Sequence, residues 1–294
     1  MKFAENNRIS HRQLYRQMVL AFLAPFLLCL PGENRVTGIS GIVGVAAALV
    51  LLVIYSFFLR RLTPWYTDPI KTFGAAGGRI IGVFFLSYVA LTGAYLLDLM
   101  DELVPAVLIT GIPGIVISFL EAAVCSFGTH KGMQRRGRMA EVSGGLLLGG
   151  VLLMMVLCLW QITPEYFTEM TEASVLQGKE VLKSCYGILA AFSGIGLLPF
   201  LLKDVEKRGT AGKPVVLGIV TLGGILMGML VLIPSVLGWQ RFRNEAYPVL
   251  PLLAGADLPG NVLARFDVLW MGFLLYSLLF ALGSLFHYGH RILD

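Results

Sequence analysis

Apolar runs long enough to cross a lipid bilayer recur along nearly the whole chain. A helix needs roughly 20 apolar residues to cross a hydrocarbon core of about 30 Å, and lipid leaves the backbone of such a run no other partner. The candidate spans are Leu14–Leu30, Ile39–Leu59, Ile80–Leu99, Pro105–Phe127, Val142–Trp160, Val181–Leu202, Val215–Leu237 and Val262–Tyr288. We therefore predict an all-α polytopic membrane protein with about eight transmembrane helices, in which residues 1–294 form a single integral membrane domain.

The composition agrees with this class and argues against catalysis. Of 294 residues, 56% are hydrophobic and 14% charged, whereas soluble domains carry about 25% charged residues. The four cysteines lie in or beside apolar runs without a CxxC spacing, which is typical of packed helices. Phosphate-binding loops, GxGxxG and Ser-nucleophile motifs do not occur in the sequence. We expect no enzyme, no cofactor and no metal site.

The basic residues predict an orientation in the membrane. Of the 23 lysines and arginines, 17 fall on the side of the N-terminus and six on the other. Loops rich in Lys and Arg stay cytoplasmic, so an even number of spans places both termini in the cytoplasm. The same loops explain the net charge of +5, and we expect no nucleic-acid partner.

Two predicted spans contain residues that break helices. Pro25 lies inside the first span, and Gly194, Gly196 and Pro199 interrupt the sixth. These two spans are five apart and so cross the membrane in opposite directions, as an inverted repeat of five helices requires. Freed backbone groups at such breaks suit a small charged ligand. The alternative is that Pro25 is a simple kink and the glycines are packing residues.

Polar side chains in other spans are weaker candidates for function. Tyr88, Thr92 and Tyr95 share one face of the third span, where they either line a central cavity or bond neighbouring helices. Glu121 is an intramembrane acid near the predicted cytoplasmic end of the fourth span, so it either has a function or reaches the interface. Thr163 and Pro164 predict a short surface helix after the fifth span.

Four segments, taken in order, are similar to one known family. They are ISHRQLYRQMVLAFLAPFLLCLPG, GRIIGVFFLSYVALTGAYLLDLMDELV, GTHKGMQRRGRMAEV and FSGIGLLPFLLKDVEKRG. The chain resembles the spore-germination permease family, the B subunit of nutrient germinant receptors in the amino acid/polyamine/organocation superfamily. In the loop, Gly132, Arg138 and Glu141 fit the family pattern, whereas Gln134 replaces a common acid. Gly196 stands where relatives often carry Glu.

The resemblance implies an inverted-repeat, amino-acid transporter-like fold of ten helices, of which the last two have no counterpart here. It also implies a small germinant, often an amino acid, and a place in the inner spore membrane. The implied partners are an A-type and a C-type receptor subunit. Two other functions stay open: a secondary amino-acid transporter, and a membrane scaffold that binds nothing itself.

The predicted ligand site lies where the two breaks face each other, with the third span closing one side. It comprises Ala24, Pro25, Phe26, Tyr88, Tyr95, Ser193, Gly194, Ile195 and Gly196.

Overall fold

The computed structural model is built almost entirely of helices and describes nine stretches of the chain. These are residues 8–28, 38–67, 69–107, 111–129, 132–173, 176–206, 208–245, 247–255 and 266–293. Within them, paired extended backbone is limited to one bridge between Ile9 and Val205. The prediction of an all-α protein is confirmed.

Twelve α-helices follow one another in the described residues. They are α1 His11–Leu28, α2 Gly38–Thr67, α3 Pro69–Val107, α4 Gly114–Thr129, α5 Gly132–Leu159, α6 Pro164–Ala173, α7 Gly178–Ala191, α8 Leu198–Leu202, α9 Gly212–Leu237, α10 Trp239–Asn244, α11 Val249–Ala254 and α12 Phe266–Leu293. One 3₁₀ turn, Ser193–Leu197, joins α7 to α8, and a second, Arg208–Thr210, precedes α9. Helix α6 is the short helix that Thr163 and Pro164 predict.

Several helices have the length and composition of membrane spans. In the described residues five pass this test, namely α2, α3, α5, α9 and α12, and the bent pair of α7 with the segment Ser193–Leu202 makes a sixth. The first and fourth predicted spans correspond to α1, which carries Arg12 and Arg16, and to α4, which has 16 residues. The chain is therefore a polytopic membrane protein, while the number eight stays a prediction.

The boundary between the third and fourth predicted spans is wrong. The prediction starts the fourth span at Pro105, whereas Pro105 lies inside α3 and α4 begins at Gly114. Helix α3 is long because it includes an arm before the apolar stretch that starts at Ile80. The arm bends at Gly74, whose φ of 75° is a conformation that glycine adopts readily.

Helix α1 lies at the centre of the bundle. It packs against α5, α9 and α12, and 11 of its 18 residues are buried, as expected for a helix that is enclosed on most sides. Other helices turn large apolar side chains outward, including Phe58, Phe84, Phe119 and Val142. Outward-facing apolar side chains of this kind are what a lipid environment accommodates.

Candidate functional site

The weak point at Pro25 is held by a hydroxyl from a distant helix. The predicted break is wrong in its form, because α1 runs without interruption through Pro25. The Ser277 hydroxyl of α12 donates to the Leu20 carbonyl at 2.6 Å and accepts from the Ala24 N–H at 3.1 Å. Those two backbone groups are partners of each other in a regular α-helix. Ser277 therefore inserts into the hydrogen-bond ladder of α1, one residue before the proline.

A second consequence of Pro25 lies one turn earlier in α1. Proline has no N–H, so the Ala21 carbonyl lacks the donor that a regular helix would supply. Ala21 and Pro25 both line the cavity described below. Helix α1 thus leaves one backbone acceptor on its cavity side.

The break predicted in the sixth span is present. Helix α7 ends at Ala191, a 3₁₀ turn covers Ser193–Leu197, and the chain bends by 46° before it continues as α8. The Tyr88 hydroxyl of α3 donates to the Ser193 carbonyl. A Cβ atom placed on Gly196 would lie 3.1 Å from that hydroxyl oxygen, so the glycine makes room for Tyr88.

A cavity of about 70 Å³ lies between α1, α3, the bent span and α12. Its wall is formed by Gln17, Met18, Ala21, Phe22, Pro25, Thr92, Tyr95, Leu96, Ala191, Ser193, Gly194, Ile195, Leu197, Leu198, Leu201, Ala281, Ser284, Leu285 and Tyr288. Along α1 it extends from Gln17 to Pro25, roughly 12 Å at 1.5 Å per residue. The wall residues are mostly apolar with a few hydroxyls and one amide, and none of them is charged.

Five of the nine predicted site residues line this cavity: Pro25, Tyr95, Ser193, Gly194 and Ile195. The structure brings them together from three separate elements, as the prediction of a site between the first, third and sixth spans requires.

The other four predicted residues do not line the cavity, and each has another contact. Ala24 is buried and faces Ser277. Phe26 packs edge-on against the ring of Phe192, so these two rings belong to the core and do not shape the cavity. Tyr88 holds the Ser193 carbonyl from the side, and Gly196 lies beneath Tyr88.

Gln17 is a cavity residue that the sequence analysis missed. Its side chain is 3% exposed, and its Nε2 atom has no hydrogen-bond partner among the described residues. Buried amides are normally satisfied, so this donor calls for an explanation. The available signal was a lone amide within the apolar stretch that follows Arg16.

A buried positive charge lies behind another part of the wall. The Arg136 guanidinium of α5 donates to the Ser284 hydroxyl at 2.6 Å and to the Phe280 carbonyl at 2.9 Å. Ser284 lines the cavity, whereas Arg136 does not. The cavity therefore borders a charged group through one hydroxyl.

Glu121 lies outside the cavity. It lies about two turns before the last residue of α4, Thr129, at the distance from the helix end that the sequence predicts. Its side chain is buried, and its Oε2 atom has no partner among the described residues. Nearby, the Ser118 hydroxyl donates to Asp101 of α3. Asp101 and Glu121 belong to a polar region between α3 and α4.

The motif residues at the start of the chain contact those of the loop motif. Ser10 and Gln13 cap α1 reciprocally, with the Gln13 N–H on the Ser10 hydroxyl at 3.3 Å and the Ser10 N–H on Gln13 Oε1 at 3.1 Å. The Gln13 amide also donates to Glu141 of α5 at 3.3 Å, and Arg12 forms an ion pair with the same carboxylate. A Cβ on Gly137 would lie 3.0 Å from Ile9. Distant motif residues thus join α1 to α5.

Apolar helices packed around a small central cavity beside a bent span define a polytopic membrane protein of the permease type. A family model described as "Spore germination protein" matches residues 8–293, nearly the whole chain. The chain belongs to this family of spore germination permeases, as the resemblance predicts.

A curated relative supports the same assignment. The chain is 21% identical over 286 residues to the spore germination protein YndE of Bacillus subtilis strain 168, and the match covers 92% of this chain and 77% of the relative. The chain is therefore a germination-related membrane permease, and its family is not a known enzyme family.

Proposed function

We propose that this chain is the permease-like membrane subunit of a spore nutrient germinant receptor and that its cavity binds a small germinant, an amino acid in zwitterionic form. The observation that carries the proposal is the buried Gln17 Nε2 atom, which has no hydrogen-bond partner in the part of the chain that the structure describes and belongs to the wall of a cavity beside a bent span. A buried donor of this kind is satisfied when a ligand supplies an acceptor.

Two neighbouring parts of the cavity suit the two charges of an amino acid. Gln17 offers an amide donor, and the positive charge of the buried Arg136 lies behind Ser284, so this part of the cavity favours a carboxylate through charge, while the Ser284 proton itself is donated to the Phe280 carbonyl. One turn further along α1, Pro25 leaves the Ala21 carbonyl without its helical donor, and this acceptor favours an ammonium. The Ser193 carbonyl already accepts a hydrogen bond from Tyr88, so it contributes only its second lone pair.

The rest of the wall selects the ligand's side chain. Phe22 lies close to Gly194, with its ring 3.5 Å from where a Cβ atom would stand, and shapes this part of the cavity. A volume of about 70 Å³ and a mostly apolar wall favour a germinant with a small or apolar side chain.

The wider setting of the proposal follows from the family and the charge pattern. The chain acts as one integral membrane domain in the inner spore membrane, with both termini cytoplasmic. It assembles with A-type and C-type germinant receptor subunits. The secondary transporter and the scaffold are the alternatives that experiments must separate.

The test uses the full chain in detergent, screened for thermal stabilisation by the standard amino acids. We expect at least one amino acid to raise the unfolding temperature, because ligand that binds only the folded state stabilises it. Gln17→Leu should remove that shift while the protein still folds. Gly194→Val should also abolish it by filling the cavity, whereas the Cβ atom of its matched control, Gly149→Val, would stand in open space with no atom of another helix within 4 Å.

Each outcome separates the candidate functions. Stabilisation without uptake by proteoliposomes supports a sensing subunit, and uptake of the stabilising amino acid supports a transporter. Unchanged stabilisation in both Gln17→Leu and Gly194→Val places the site elsewhere. An absence of stabilisation by any amino acid favours the scaffold.

A further inference from the structure

A second, much larger concavity lies at the opposite side of α8 from the cavity. Its volume is about 800 Å³. Its wall is formed by Tyr66, Pro69, Ile70, Gly78, Arg79, Ile81, Gly82, Val83, Phe85, Leu86, Phe200, Lys203, Arg291, Ile292 and Leu293. These residues come from the end of α2, the first half of α3, the end of α8 and the end of α12. We call this concavity the basic groove.

Three of the groove residues carry a positive charge: Arg79, Lys203 and Arg291. None of the described groove residues is acidic. Arg291 forms an ion pair with Asp204, which does not line the groove and therefore offsets only part of the charge. Arg79 is exposed and forms no ion pair within the part of the chain that the structure describes. The groove therefore favours an anion.

The remaining wall is apolar and lies at the ends of membrane helices. Arg79 immediately precedes the apolar stretch of α3, Lys203 directly follows α8, and Arg291 falls in the last turn of α12. Basic residues at helix ends lie at the depth of lipid headgroups. Val83 and Ile70, at 64% and 59% exposed, continue the groove as an apolar surface. A ligand with a phosphate and attached acyl chains matches both parts.

We propose that the basic groove binds the headgroup of an anionic phospholipid, with its acyl chains along the apolar surface of α3. Basic pockets between transmembrane helices at the membrane surface recognise such headgroups. The proposal stands on the groove alone and is independent of whether the cavity binds a germinant.

The Phe200 side chain lies between a residue of the groove and a residue of the cavity. Phe200 of α8 lines the groove, and its ring lies 5.2 Å from Phe85 on the groove side and 6.4 Å from Tyr288, which lines the cavity. Leu201, the next residue, faces the cavity. The lipid therefore contacts the same short helix that forms part of the cavity wall.

The experiment is native mass spectrometry of the full chain in detergent, titrated with dioleoyl-phosphatidylglycerol or with dioleoyl-phosphatidylcholine. We expect retention of the anionic lipid in preference to the zwitterionic one. Arg79→Gln and Lys203→Gln should each weaken binding about five-fold and together roughly 25-fold, from about 1 kcal/mol per basic residue near a headgroup. The matched control is Arg61→Gln, which removes an exposed arginine near the end of α2 that does not line the groove.

Further arms identify the source of the anion. Glycerol 3-phosphate in excess should displace little lipid, because it lacks the acyl chains that the apolar wall contacts. Full displacement by glycerol 3-phosphate would show a site for a soluble phosphate and overturn the lipid assignment. Equal retention of both lipids, or equal losses in the Arg61 variant and the groove variants, would overturn the proposal altogether. Circular dichroism of every variant checks that the helices remain folded.

Discussion

Replacing Gly196 with alanine tests whether the bent span is held by Tyr88. A Cβ atom at Gly196 would lie 3.1 Å from the Tyr88 hydroxyl oxygen and 3.2 Å from its Cε1 atom, so the tyrosine must move. We expect this movement to weaken the hydrogen bond that the hydroxyl donates to the Ser193 carbonyl. A Cβ at Gly194 would meet only Phe22 at 3.5 Å and Thr92 at 3.9 Å, which are ordinary contacts.

The expected free energies follow from these contacts. Overpacking at Gly196 costs about 1–3 kcal/mol, and the lost hydrogen bond costs about 1 kcal/mol. Alanine has less conformational freedom than glycine in the unfolded chain, and this difference stabilises the folded protein by about 0.4–1 kcal/mol. We expect Gly196→Ala to destabilise the protein by about 1–3 kcal/mol, whereas Gly194→Ala should be neutral or stabilising by up to about 1 kcal/mol.

A double-mutant cycle identifies the cause. Tyr88→Phe alone should cost about 1 kcal/mol, since only the hydrogen bond is lost. In the Gly196→Ala background it should cost less, because the hydroxyl is already displaced and its removal relieves part of the crowding. The relief is partial because the ring carbon stays close. We expect a compensating coupling energy of about 0.5–1 kcal/mol, in the range found for residues in contact.

The assay is reversible unfolding in mixed micelles with increasing dodecyl sulfate, followed by circular dichroism. Equal stability of the Gly194 and Gly196 variants would refute the reasoning, and so would additive effects of Tyr88→Phe and Gly196→Ala. Either result would mean that Tyr88 does not rest on the bent span as described.

Three further predictions address other parts of the molecule. Ser277→Ala should destabilise the protein by about 1–2 kcal/mol, because a buried hydroxyl with two hydrogen bonds is lost. The loss stays moderate because the two α1 backbone groups that the hydroxyl bridges are able to pair with each other. Unfolding in mixed micelles measures this change. A cysteine in place of Lys207 should react with membrane-impermeant reagents only from inside, and one in place of Glu169 only from outside. Desolvation and the hydrogen bond to Glu102 raise the pKa of Tyr247 above its ordinary value of 10.0. The protonated tyrosine therefore stabilises the folded protein fully below pH 10, and this stabilisation is lost as the pH rises from 10 through the raised pKa. Tyr247→Phe should remove that part of the alkaline loss in a pH series of unfolding curves.

Each of these predictions has a control or a contradicting result. Ser87→Ala removes an exposed hydroxyl that bonds only within its own helix, and it should leave stability nearly unchanged. A loss as large as that of the Ser277 variant would show a general effect of serine removal. Outside labelling at position 207 would invert the predicted topology. An identical alkaline profile for Tyr247→Phe would exclude that tyrosine as the titrating group.

Residues close together in the sequence are enough to predict the class of the protein and the places where its helices weaken. A long apolar run in lipid has only a helix in which to satisfy its backbone, so the spans follow from composition and length. The bend at Ser193–Leu197 follows from Gly194, Gly196 and Pro199, which lie within six consecutive residues. The Ser10 and Gln13 capping pair is equally local, although it is a finding of the structure and not a prediction from the sequence. Local residues sufficed because each of these features depends on neighbours a few positions away.

Only the packing of the bundle shows which groups bond to the backbone at Pro25 and at the bend Ser193–Leu197, and which side chains share a cavity. Pro25 predicted a broken first helix, yet a serine 253 residues from Ala24 in the chain holds α1 together. Phe26 and Phe22 are both apolar, and only their packing shows that Phe22 lines the cavity while Phe26 fills the core. The basic groove joins residues of four helices in the same way. Helical periodicity gives a side chain's face and depth but not the distant helix that covers it, because that choice depends on the packing of the whole bundle.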